Sequence, residues 1–200
     1  MTTLERAASE LHEEVVGAEP RLQGESSMWV FVLGDLVIFG YYFVVFMVER
    51  TQQREVFLAS QQHLSQNIGA LNTLVLLASS LFMARGVLAA RASNHPRAIR
   101  LTTMAGACGV LFILIKVVEW TEEIRGGYTL PTNDFFAFYF VLTGVHLLHV
   151  LMGLIVVGIV LRELRTPTLR RTSMVETGAV YWHMVDLIWV IVFALLYVMR

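Results

Sequence analysis

Of 200 residues, 56% are hydrophobic and only 16% charged, whereas a soluble domain averages about 45–50% apolar and about 25% charged. The balance argues against an ordinary water-soluble domain and for a membrane protein. A net charge of −1 supplies no global field for nucleic acid, and the single cysteine, Cys108, excludes an intrachain disulfide or a CxxC site.

Residues 1–27 hold Glu5, Glu10, Glu13, Glu14, Glu19 and Glu25 and lack an apolar core. They read as an acidic cytoplasmic tail and not as a signal peptide, so the first apolar segment is expected to remain as an anchor. Five apolar segments follow over 28–48, 68–90, 99–120, 135–161 and 177–199. Each is near the roughly 20 residues that a spanning helix needs. Pro20, Pro96, Pro131 and Pro167 fall outside the five segments, and the last three mark connections. Short polar connections favour antiparallel neighbours. The expected fold is therefore an all-α membrane protein, a five-transmembrane-helix bundle occupying residues 28–200.

Arginine distribution orients it. Arg6, Arg21, Arg91, Arg97, Arg100, Arg162, Arg165, Arg170 and Arg171 share one side, against Arg50, Arg54, Arg125 and Arg200 on the other. The positive-inside rule then puts the N-terminus inside and the C-terminus outside.

Polar groups within the spans carry the functional information, because a charge at the bilayer centre costs at least about 2.5–3.5 kcal/mol. Asp35, Lys116, Glu119, His146, His149, His183 and Asp186 are such groups. The pairs Lys116/Glu119, His146/His149 and His183/Asp186 are three apart, hence on one helical face. With a rise of about 1.5 Å per residue, His149 and Asp186 both lie roughly 16 Å from the inner end of their helices. They are expected to meet. Lys116 and Glu119 are expected near the outer edge, either as a local ion pair or with Lys116 snorkelling outward. Asp35 stands alone in an apolar helix. It is either a proton-handling carboxyl or one that hydrogen-bonds a neighbouring helix. Gly144, Gly153 and Gly158, with Gly106 and Gly109, are expected to let backbones approach, and Asn72, Thr73, Ser79 and Ser80 to bond between helices. Trp29, Trp120 and Tyr128 sit where an aromatic belt would. His146, His149 and His183 lack metal-ligand spacing such as HxxxH or HExxH.

Several of these stretches together resemble one family. Tyr181-Trp182-His183-Met184-Val185-Asp186-Leu187-Ile188-Trp189 is similar to the Y-W-H-F-V-D-x-x-W signature of haem–copper oxidase subunit III. Thr143-Gly144-Val145-His146-Leu147-Leu148-His149-Val150, then Gly153, resembles its T-G-x-H-x-x-H-V-x-x-G. Glu119-Trp120 resembles its Glu-aromatic pair, and Asn72-Thr73 with Ser79-Ser80 its N-T-x-x-L-x-x-S-S helix. Asp35 stands where the family commonly has a buried Glu, which shortens the carboxylate by one methylene. Longer members have seven helices and hold lipid in a cleft that involves the first two. This chain is expected to lack the counterparts of those two and so not to form that cleft. Five-helix members include quinol-oxidase subunits and homologues associated with nitric oxide reductases, and Gly34-Asp35 leans toward the latter branch.

The resemblance implies a non-catalytic accessory subunit in the cell's inner (plasma) membrane, among membrane lipids and without nucleic acid. It implies docking on a subunit I-type catalytic partner that carries haem and copper or iron, with no cofactor or metal held by this chain. The implied roles are to stabilise the partner and to support proton and gas delivery, with Asp35, Glu119, His146, His149, His183 and Asp186 as the buried polar or proton-related residues. Two other function classes stay open: an autonomous membrane haem or metal protein using His146, His149 and His183, and a small proton-coupled transporter using Asp35, His149 and Asp186.

Overall fold

Apolar runs of this length satisfy their backbone polar groups in lipid only as helices, and helices are what they form. The computed structural model describes residues 26–167 and 171–199. The helices are α1 (Ser26–Gln52), α2 (Arg54–Gln61), α3 (Gln66–Arg91), α4 (His95–Arg125), α5 (Asp134–Arg165) and α6 (Thr172–Phe193), with a π-helical turn, Ala194–Val198, closing the last. Five of them, all but α2, are long and apolar enough to cross a membrane. Of the acidic tail expected over 1–27, residues 1–25 lie outside the described residues, and Ser26 and Ser27 already belong to α1.

The spans outrun the apolar segments at most ends, because polar and charged residues continue the helix beyond the hydrocarbon layer. α4 begins at His95, so Pro96 lies inside its first turn and not in a connection. Proline is tolerated there because the first N–H groups have no intrahelical acceptor. Asn94 caps this helix by accepting from the Arg97 N–H, and Asn133 caps α5 by accepting from the Phe136 N–H. The amphipathic α2 is too short and polar to register as an apolar segment. It buries Phe57, Ser60 and Gln61.

The helix α6 is the centre of the bundle. In its apolar window 61% of residues are buried, against 17% in α1. It packs on α3 and α5, α4 closes the ring between them, and α1 lies outside against α5 and α6. Trp182 is the wedge of this core. A Cβ at Gly109 of α4 would meet its ring at 2.7 Å, and one at Gly153 of α5 at 2.9 Å. These two glycines therefore make room for an indole and not for a neighbouring backbone. Gly158 meets nothing within 4 Å, so the expectation of close packing fails there.

Candidate functional site: the buried polar layer

The residues of α3 and α6 that stand out in the sequence turn out to be each other's partners. The Trp189 indole donates to Thr73 Oγ1 at 3.0 Å, the Trp182 indole to Ser79 Oγ at 3.0 Å, and Ser80 Oγ lies 2.7 Å from His183 Nδ1. Ser79 in turn donates to the Ala105 carbonyl of α4 at 2.8 Å. Three of the four residues expected to bond between helices do so. Asn72 is the exception: it is fully buried, and neither its amide oxygen nor its nitrogen has a hydrogen-bond partner among the described residues.

Lys116 and Glu119 form the expected local ion pair, at 3.0 Å, but not near a surface. Their side chains are 1% and 2% exposed. Two tyrosines that the sequence reading missed complete the group. Lys116 Nζ donates to Tyr197 Oη at 2.8 Å and to Tyr139 Oη at 3.3 Å, and Tyr197 donates to Glu119. The ammonium also lies over the Tyr139 ring, 4.6 Å from its centroid. Hydropathy places a charge along a helix, whereas this pair is hidden by how α5 and the end of α6 wrap around it. Trp120, expected as an interface anchor, instead turns its indole inward to Thr143 Oγ1 at 3.2 Å.

The histidines diverge. His146 is fully buried between Phe112, edge-on at 5.6 Å, and Trp189 at 5.1 Å, and neither ring nitrogen has a hydrogen-bond partner among the described residues. His149 faces α1. Its Nδ1 lies 2.8 Å from the Val145 carbonyl, and its Nε2 lies 3.4 Å from Asp35 Oδ2. The expected contact of His149 with Asp186 does not form, and Asp35 is not alone. Equal depth is the wrong criterion by itself. Residues three apart on a helix differ by about 60° in direction, enough to send His146 into the core and His149 toward α1. Asp186 turns toward Ser80 of α3, yet neither of its oxygens has a hydrogen-bonded partner among the described residues.

The Asp35–His149 pair has a definite chemistry. A carbonyl accepts only, so the hydrogen bond at Val145 puts a proton on Nδ1. In the neutral ring Nε2 then carries a lone pair, which would face the lone pairs of Asp35. No hydrogen bond joins them: Asp35 Oδ2 has no hydrogen-bond partner among the described residues, and the 3.4 Å separation is a close approach only. Both side chains are 13% exposed, so the pair lies near a helix–helix surface and not in the sealed core.

Residues 25–200 match the profile of cytochrome c oxidase subunit III. The chain belongs to this family. It is 30% identical over 173 residues to cytochrome c oxidase subunit 3 of Thermostichus vulcanus, covering 85% of this chain and 84% of that one. It is 27% identical over 174 residues to cytochrome bo(3) ubiquinol oxidase subunit 3 of Buchnera aphidicola, covering 85% and 83%. A third relative, from Aeropyrum pernix, is a heme-copper oxidase subunit I+III. There the identity is 30% over 191 residues, 89% of this chain but only 23% of the relative. Family membership and the five apolar helices together make the chain a multi-pass membrane protein.

As a subunit III, the chain uses its motif residues in two ways. Trp182, Trp189, His183, Thr73, Ser79 and Ser80 join α3 to α6, whereas His149 and Asp35 join α5 to α1. The described residues place no three His, Cys, Asp or Glu side chains so that they converge on one point.

Proposed function

We propose that this chain is the accessory subunit of a haem–copper oxidase complex in the inner (plasma) membrane. It docks on a catalytic subunit I that carries the haem and copper, stabilises that subunit, and holds a proton for it at the Asp35–His149 pair. The observation that carries the proton role is the geometry of that pair. With Nδ1 committed to Val145, the Nε2 lone pair faces the unpartnered Asp35 Oδ2 at 3.4 Å; a proton taken up between them relieves that opposition, and a site of this kind can lend the proton and take it back. The partnership is supported by the Aeropyrum relative, whose name joins subunits I and III in one chain. Oxygen is the favoured acceptor, since the relatives named above are oxidases of cytochrome c or ubiquinol. The nitric-oxide-reductase branch has only Gly34-Asp35 in its favour.

Asp35→Asn tests the proton role, because it preserves size and hydrogen bonding and cannot titrate. The expected result is a complex that assembles normally and whose turnover falls mainly at high pH, where protons are scarce. If Asp35→Asn matches the parent at every pH while Asp35→Leu disrupts assembly, the pair is structural only.

A further inference from the structure

Between α3 and α6, at the end of the bundle where α3 stops and α6 starts, lies a groove with about 230 Å³ of free volume. Its walls are Ala84, Leu88 and Arg91 of α3 and Glu176, Ala179 and His183 of α6. On each helix these positions follow the three-to-four spacing of a single face, so two antiparallel faces look onto one slot. The alanines open it, and the leucine makes its wall apolar.

Its mouth is charged with both signs. Arg91 Nε donates to Glu176 Oε1 at 2.7 Å, and the two side chains are 40% and 19% exposed. That bond uses one guanidinium nitrogen and one carboxylate oxygen. The terminal guanidinium nitrogens and the second oxygen have no hydrogen-bond partner among the described residues. Deeper in the slot, His183 Nδ1 is taken by Ser80 at 2.7 Å, and Nε2 has no partner among the described residues. Along either helix the slot runs seven residues, about 10 Å. Helical side chains lean toward their own N-terminus, and the helices are antiparallel. Arg91 and His183 therefore both line the slot from opposite ends.

We propose that this groove seats one phospholipid with an ethanolamine headgroup. The phosphate accepts from the free guanidinium N–H groups of Arg91. The ammonium donates to the free oxygen of Glu176. An ester carbonyl lies toward His183 Nε2, and an acyl chain follows the apolar wall. The paired charges choose the headgroup. A glycerol headgroup brings no cation for Glu176, and a choline headgroup brings a cation without an N–H to donate. The site lies between two helices that this chain possesses, apart from the cleft that longer members build with two additional ones.

Native mass spectrometry of the full chain in detergent, titrated separately with phosphatidylethanolamine, phosphatidylcholine and phosphatidylglycerol, tests it. The expected result is one phosphatidylethanolamine per chain, bound in preference to the other two at equal concentration. Arg91→Gln should weaken it by about tenfold, the loss of one charge-assisted hydrogen bond. Ala84→Leu, which narrows the slot and leaves the ion pair in place, should displace it as well. If either variant melts before it can be measured, Glu176→Gln replaces it and should abolish the preference over phosphatidylcholine. Equal binding of all three lipids, or binding that survives any of these variants, would overturn the site, because the lipid would then be annular or seated elsewhere.

Discussion

His149 has one ring nitrogen bound to its own helix and the other aimed at a carboxylate on a different helix. A group in that position lies in contact with two helices at once. Asp35 and His149 should therefore be strongly non-additive: a double-mutant cycle with Asp35→Leu and His149→Leu, read by thermal melting, should give a coupling of about 0.5–3 kcal/mol. Strict additivity would deny the contact. A similar argument at residue scale applies to Trp182, whose ring fills the space over Gly109 and Gly153. Gly153→Ala puts a methyl 2.9 Å from that ring, and overpacking of this kind costs about 1–3 kcal/mol. Gly158→Ala, with open space around it, is the control and should leave the melting temperature nearly unchanged. The identity of these polar residues was legible in the sequence, because a charge or imidazole in an apolar span has few reasons to be there. Their pairing was not. Spacing and rise give the depth of Asp186, His149 and Asp35 but not the rotation of each helix about its axis, and rotation decided that His149 meets Asp35.

At the scale of elements, two polar arrangements hold the bundle. One is the ladder between α3 and α6, where Thr73, Ser79 and Ser80 meet Trp189, Trp182 and His183. Both stretches stand out in the sequence as motifs, but only the fold shows that each completes the other. The second arrangement is the Lys116–Glu119–Tyr197–Tyr139 cluster, which ties α4 to α5 and to the π-helical turn after α6. The same turn is held by Gln61 Nε2, which donates to the Leu196 carbonyl at 3.0 Å, and by Arg50, which donates to the Met199 carbonyl at 2.8 Å. Removing one partner of a buried ion pair strands the other, at a cost of about 3–5 kcal/mol, whereas replacing both by apolar residues is often neutral. Lys116→Met alone should thus be severely destabilising, and Lys116→Met with Glu119→Leu should recover most of the loss. A double variant as unstable as the single one would show that the charges themselves are required. The tyrosines of this cluster left no sequence signal, since a tyrosine in an apolar span reads equally well as a core or interfacial ring.

For the whole molecule, the five spans among the described residues would put the two ends of the bundle on opposite sides of a membrane. From the arginine asymmetry we expect the N-terminus inside. A reporter at Arg91–Arg97 should therefore be active on the inner side, and one fused after Arg200 on the outer side, with the reverse pattern contradicting the orientation. Architecture was the most legible level, because helix length and hydropathy follow from the thickness of the bilayer. Above it stands the proposal that this subunit III works inside a larger oxidase and has no redox centre of its own. The direct measurement is mild-detergent purification of the tagged full-length chain, with a visible spectrum and polypeptide identification taken before and after the complex is dissociated. The account predicts a haem-bearing subunit I in the intact preparation, and a dissociated chain that shows no Soret band. A chain that purifies without a haem-bearing partner, or that keeps a Soret band of its own after dissociation, would contradict it.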